Sequence, residues 1–427
     1  MPKIPKENIL SAALGLYNNG FTYVQDTRRK HESDIFQIDL LALKVICFGG
    51  EDAAQTFYDT DKFARKGAVP PPVQKTLTGE NAIHTKDGEA HHNRKEMFMS
   101  LMTEENIKRL TERVQIELYK ALHKWEDAES VVLFHEARVI LCKAVCAWAG
   151  VPLTDEEAPY IARDFTLMVD AFGAVGPRNW RGQRARKRTE RWMNGIIKKV
   201  RQLKLVPERG SALYLTANHK DVDGNVLDIP MATVELLNIL RPTVAIAWYV
   251  TFSAHAFTTY TDSRLKFLMN VSDYREWFVH EVRRFYPFAP VMGARVKHEF
   301  DWHGYRFPKN SLVLLDMYGT NHDPRLWDSP QEFIPERFSN RQIKPFDFLA
   351  QGGGDPHQGH RCPGEWITIE VLKTFMGFLV EKVAFDVPQQ DLSYDSSRMP
   401  TLPNSGFVMS CVSRKMVSSA SAVKARR

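Results

Sequence analysis

The sequence predicts a mainly α-helical protein with a small β-rich region. Three observations carry that reading. Ile229 to Phe257 is the longest apolar run of helical character, with no glycine to break it. Ile107, Leu110, Val114, Leu118, Leu122 and Trp125 recur at the three-and-four spacing of one helix face. Phe300 to Pro308 reads as a hairpin and Ser311 to Met317 as a strand, which confines the β structure to a corner.

Taken in order, Ile9 to Tyr17 has helical periodicity, and Asn18-Asn19-Gly20 stops it. Ile35 to Leu40 and Lys44 to Phe48 read as two short strands, after which Gly49-Gly50 opens a helix through Ala53, Ala54 and Phe57. Val69-Pro70-Pro71-Pro72 breaks regular structure and leads into a loop ending near Ile83-His84. Thr103 with Glu104, Glu105 and Asn106 marks a helix start. The next helix, roughly Phe134 to Ala149, carries Cys142 and Cys146 among apolar neighbours, so that pair reads as core packing and not as a metal site. Tyr274 to Tyr286 is a further helix. No repeat and no Pro-, Gly- or Ser-rich linker divides the chain. Residues 1–417 therefore read as one domain, and Ser418 to Arg427 as a disordered basic tail.

Composition narrows the class. A 44% hydrophobic fraction over 427 residues is ample for a core that encloses a cofactor. The formal charge of +6 is mild, and its concentrated part is Arg178, Arg181, Arg184, Arg186, Lys187 and Arg188. Such a run can meet nucleic acid or acidic lipid, but a solvated loop and helix face is the commoner meaning. Met1 to Glu7 is polar and Ile9 to Tyr17 is too short for a membrane span, so the expectation is no stable span and a cytoplasmic location. Five cysteines without a secretory signal argue against a disulfide framework.

The candidate chemistry lies in Phe346 to Glu365. Glycines at 352, 353, 354, 359 and 364 let this backbone turn tightly and approach something flat, and Cys362 stands just before an apolar helix. A cysteine at a helix N-terminus meets positive dipole and free N–H groups, which favour the thiolate. Such a thiolate can occupy one axial position of a haem iron. A plain buried cysteine in a glycine-rich turn is an equal reading of the cysteine alone. A zinc site built on His357, His360 and Cys362 lacks a fourth ligand at suitable spacing.

The stretch resembles the haem-binding loop of the cytochrome P-450 superfamily, whose pattern is Phe-x-x-Gly-x-Arg/His-x-Cys-x-Gly. His360-Arg361-Cys362-Pro363-Gly364 fits its last part. The Gln351-Gly352-Gly353-Gly354-Asp355 insertion is similar to the fatty-acid peroxygenase branch. Glu281-Val282-Arg283-Arg284, followed by Tyr286-Pro287, and Arg337 in Pro335-Glu336-Arg337 resemble the superfamily's Glu-x-x-Arg and Pro-x-Arg elements. Those elements imply a buried salt-bridge network that braces the haem loop. The resemblance implies the P-450 fold, with haem b (iron protoporphyrin IX) between the long central helix and the helix after Cys362. Cys362 would be its thiolate axial ligand. By position, Arg65, His91, Arg94, Lys95, Arg295 and His360 become candidate partners of the haem propionates.

Ordinary members carry an acid followed by threonine in the central helix, whereas this chain reads Asn238-Ile239-Leu240-Arg241-Pro242-Thr243. A guanidinium unpaired among Leu237, Leu240 and Val244 is costly, so Arg241 should have an anion. Pro242 lacks an N–H and is expected to kink or open the turn. The Arg-Pro pair resembles the fatty-acid peroxygenases, which implies that a fatty acid's carboxylate pairs with Arg241. It then supplies the acid–base function for hydrogen peroxide, the co-substrate, without an obligatory reductase. His84 stands where alkene-forming relatives tend to have histidine and hydroxylating ones glutamine. Thr78, six residues earlier, departs from the aromatic residue that alkene formers often carry. The implied function is peroxide-dependent decarboxylation of long-chain fatty acids to terminal alkenes, with 2- and 3-hydroxylation beside it. The alternatives are a hydroxylating peroxygenase, or a non-catalytic haem sensor or fatty-acid-binding protein; no nucleic-acid partner is implied.

Overall fold

Ile229–Thr259 is the helix around which the rest of the core is laid in this computed structural model, which describes residues 2–40 and 43–415. Asp228 starts it, its carboxylate accepting from the Met231 N–H at 2.7 Å. Nearly every residue from Ala232 to Phe257 is buried, which explains an apolar run with no polar face. Leu133–Ala149, Pro177–Arg201 and Glu365–Lys382 pack against it. By length and composition it would pass for a membrane span, yet 78% of its most apolar window lies inside the protein. It is a core helix.

Of the two outcomes expected at Pro242, a kinked or an opened turn, the opened one is not met, since residues 229–259 stay helical throughout. Proline forfeits only its own bond to the carbonyl of Asn238. Packing on all sides holds the turn closed around that single missing bond.

The sequence signals at the other ends translate directly. Ile9–Asn19 stops at Gly20, whose φ of +49° a side chain would resist. Thr103 caps Glu104–Glu126 by accepting from Asn106 N–H at 3.3 Å. Cys142 and Cys146 are buried in Leu133–Ala149, as core. The stretch read as a loop after the prolines holds more order than expected. Pro71–Val73 is a short helix, Gln74–Thr78 a π-helical turn and Ile83–Thr85 a 3₁₀ turn. In Pro177–Arg201 the residues Arg181, Arg184, Lys187 and Arg188 are exposed, as a solvated face requires, but Arg186 turns inward. The basic tail from Ser418 lies outside the described residues.

The β corner is a six-stranded sheet in the order Lys6–Glu7, Ile35–Leu40, Leu43–Gly49, Leu312–Asp316, Val291–Val296, Phe63–Ala64. Val45 pairs with Leu312 in parallel register, and Arg295 with both Leu312 and Ala64 in antiparallel register. The hairpin Phe300–Trp302/Tyr305–Phe307 stands apart, and Val383–Asp386, Val408–Arg414 and Ser130–Val132 form a third sheet.

The expected charge network is present and buried. Glu281 and Arg284 form a two-pronged pair at 2.7 and 2.8 Å with both side chains fully out of solvent. Arg337 reaches Glu281 at 3.2 Å, and Arg284 also donates to the carbonyls of Asn321, Pro330 and Glu332. The Asn321 side chain in turn accepts from Leu349 N–H at 2.8 Å, on the approach to Cys362. Removing one partner strands a charge in a medium that cannot solvate it. Arg284→Ala is therefore expected to cost about 3–5 kcal/mol, read from the denaturant midpoint. A loss below about 1 kcal/mol, the value of a surface pair, would contradict this account.

Candidate active site

Cys362 is presented by a loop whose shape depends on its glycines. Gly352 and Gly354 have φ of +94° and +81°, and a Cβ on Gly359 would meet Asp355 O at 2.7 Å. Cys362 N–H donates to Gln351 O at 3.0 Å, and the Gln351 amide lies 3.7 Å from Cys362 Sγ. Gln351 is itself held by Arg283 Nε at 3.1 Å and Thr368 Oγ1 at 3.1 Å. Arg283 also grips Glu365, which accepts from Arg361 Nε at 2.6 Å as well. Burial opposes ionisation of Glu365, but Arg283 and Arg361 outweigh it and hold the carboxyl at about 2. Sequence reading missed Arg283 as the direct brace of the cysteine loop. Its signal was there, one position before the arginine of the Glu-x-x-Arg element.

Burial pushes Cys362 above the usual thiol range, and the Gly364 N–H and the Lys95 charge pull only partly against it.

Four basic groups gather on the side of the loop that faces Gly88–Met99. His91 and His360 lie ring to ring at 3.9 Å. Lys95 donates to Arg361 O, and Arg65 donates to Gly293 O at 3.2 Å while lying over the Phe57 ring. Burial first, then mutual repulsion, holds His91 at about 4 and pushes His360 far below its ordinary value. Burial likewise takes Lys95 down to about 8 and Arg65 to about 10. Such a cluster calls for anions. Two of the expected cations are engaged elsewhere. Arg94 pairs with Glu235 at 2.5 Å, and Arg295 donates to Gly67 O and Asn310 O, both at 3.0 Å.

Across from the sulfur is the central helix. Arg241 is 6% exposed, and among the described residues its one hydrogen bond runs from Nη2 to Asn238 Oδ1 at 3.3 Å. Its Nε is buried without a partner. Burial and then the like charge of Arg186 bring the guanidinium down to about 9, which still leaves it protonated at neutral pH. Asn238 also donates to Thr78 O at 2.9 Å, so buried Thr78 enters the site by its backbone. More than a third of the His84 surface is open. Burial, then Arg241 and Arg186, hold its imidazole at about 3, neutral at every ordinary pH. Cys362 is partly open as well.

These residues fit a haem: a cysteine sulfur stands near Lys95 and Arg65, buried cations with no acid in salt-bridge reach among the described residues. Among the described residues no three His, Cys, Asp or Glu side chains are grouped so as to hold a metal ion.

Comparison with known proteins agrees with this geometry. The cytochrome P450 sequence model matches residues 269–410. Cytochrome P450 3A15 of Cavia porcellus is 30% identical over 133 residues, 30% of this chain and 24% of that protein. The chain thus spans about a quarter of the length of the curated relatives it matches. Solved structures match almost end to end. Cytochrome P450EX alpha (CYP152N1) with myristic acid is 43% identical with a TM-score of 0.93, over 96% of this chain and 99% of that one. Cytochrome P450 OleT with arachidonic acid is 35% identical with a TM-score of 0.94, over 97% and 99%. On motif, fold and full-length identity, the chain belongs to the cytochrome P450 family.

Proposed function

We propose that this protein uses hydrogen peroxide to oxidise long-chain fatty acids, converting them chiefly to terminal alkenes with 2- and 3-hydroxy acids beside them. The observation that carries this is Arg241, a buried guanidinium whose one hydrogen-bond partner among the described residues is a neutral amide. Membership of the family implies a haem held by a cysteine thiolate, and Cys362 is the residue at that place. His91, Lys95, Arg65 and His360 are the groups that would meet its propionates. When bound, the haem supplies the redox chemistry with peroxide, which no side chain here can provide.

The chain's own part is binding and proton handling. Arg241 takes the acid's carboxylate, exchanging a stranded charge for a charge-assisted pair. Asn238 holds Nη2 and so aims the guanidinium. The docked carboxylate then accepts and returns a proton at its free oxygen, the task for which this helix has no acid directly before Thr243. Apolar burial of the tail adds roughly 0.8 kcal/mol per methylene, favouring long acids. Neutral His84 stands by the head group as a hydrogen-bonding partner. One acid and one peroxide give either alkene, carbon dioxide and two waters, or a hydroxy acid and one water. Thr78 in place of an aromatic residue favours a substantial hydroxy-acid share. That is the second reading.

Incubation with hydrogen peroxide and hexadecanoic acid, followed by gas chromatography, tests the reaction; turnover only with a reductase would refute it. Arg241→Ala should retain haem but lose fatty-acid turnover by about a hundredfold or more, and unchanged turnover would remove Arg241 from the head-group site. Cys362→Ser should abolish the thiolate-haem band of the ferrous carbonyl form, whose survival would mean another ligand. His84→Gln should move product from alkene toward hydroxy acid. Because His84 does not titrate near neutrality, the wild-type product ratio should show no His84-dependent step between about pH 5 and 9; a step near pH 6.5 would show an ordinary, solvated histidine.

A further inference from the structure

The central helix carries a buried acid that the proposed chemistry does not use. Glu235 is 0% exposed and lies six residues before Arg241. One of its oxygens accepts from Arg94 Nη1 at 2.5 Å and from the Ile83 N–H at 3.0 Å; the other is buried without a partner. Burial raises its pKa, with the Arg94 charge pulling the other way. Residues 235, 238 and 241 follow one another along one face of the helix. Two of them grip the same external segment. Asn238 holds Thr78 O at 2.9 Å, and Glu235 holds Ile83 N. Between these grips the backbone passes through Gly79 at φ +83° and Asn81 at φ +59°, conformations that do not hold themselves in place.

His84 follows directly. Its imidazole makes no hydrogen bond among the described residues, so its position is set by the backbone that bears it. That backbone is a 3₁₀ turn, closed by Thr85 N–H to Ala82 O at 2.9 Å and fastened to the helix at Ile83. Glu235 is thus the fixed point for His84, as Asn238 is for Arg241. Arg94 holds Glu235 in place, which gives that cation a purpose away from the propionates.

We propose that Glu235 is a positioning residue that sets the distance between His84 and the acid head group on Arg241, and thereby the division of product between alkene and hydroxy acid. This rests on the reading of Arg241 as the carboxylate anchor. The alternative is that Glu235 only supports the fold. Product ratio separates the two, because a loss of folded or haem-loaded enzyme lowers all products together and leaves their ratio alone.

The experiment uses haem-loaded full-length protein with hydrogen peroxide and tetradecanoic acid, with binding of the acid followed by calorimetry. Glu235→Ala should change the ratio of alkene to hydroxy acid by roughly threefold or more, since small displacements of positioned groups have large effects. Binding should weaken less than in Arg241→Ala. Glu235→Gln keeps an acceptor for Ile83 N–H and should restore much of the wild-type ratio. Should Glu235→Ala fail to fold, Asn238→Ala releases the other grip and should also shift the ratio. A wild-type ratio in Asn238→Ala and in whichever Glu235 variant folds overturns the proposal. Undiminished acid binding in Arg241→Ala would instead bring down the anchor reading, and this inference with it.

Discussion

Charge that cannot reach water must find its opposite inside the protein, and the buried arginines are sorted by that rule. Arg28, Arg94, Arg186, Arg283 and Arg284 each have an acid within salt-bridge reach: Asp316, Glu235, Glu190, Glu365 and Glu281. Arg65 and Arg241, equally buried, have none among the described residues. Burial lowers the pKa of both, which is what an unanswered charge does. Both are among the arginines for which the sequence suggested partners from outside the chain, a propionate for Arg65 and a substrate carboxylate for Arg241, whereas Arg94, also suggested for a propionate, has Glu235. Missing acids mark where anions belong.

The paired charges do different work. A buried ion pair adds little net stability, because desolvation cancels most of its attraction, but it tolerates few alternative arrangements. Glu281–Arg284–Arg337 ties 321–338 to the Tyr274–Phe285 helix, and Arg283 joins that helix to Gln351 and Glu365 beside the sulfur. Glu235–Arg94 does the same for the segment before His84. Sulfur on one side and guanidinium on the other are thus each held by a network anchored in helices, with space kept between them.

Much of this was readable from residues alone where the signal is local. The central helix, the Asn-Asn-Gly stop, the Thr103 cap and the glycine-dependent cysteine loop are written in consecutive residues, and so is the Glu-x-x-Arg pair. What escaped depends on contacts between distant parts. Arg94 meets Glu235 across 141 residues, so nothing near either residue reveals the pair. Arg295 looked like a haem contact by position, but its strand pairing aims it at Gly67 and Asn310. Pro242 is a helix breaker by local rules, and the surrounding core overrides them. Cys362 illustrates the same conflict for charge: the helix terminus favours a thiolate, and burial, invisible in sequence, favours the thiol.

The Arg-Pro sequence also explains why the two ways of supplying a proton do not coexist. An aspartate in the helix at this point would be a permanent carboxylate beside the docking place of another, and two such groups cannot both stay ionised at close range. The protein either owns the acid or borrows it. On the proposed reading it borrows through Arg241, and the borrowed group arrives attached to the molecule to be oxidised. On the proposed reading, proton transfer to peroxide is then absent until a fatty acid is seated. The same ion pair that selects the substrate thereby ties consumption of the oxidant to its presence, with no moving part beyond the acid itself.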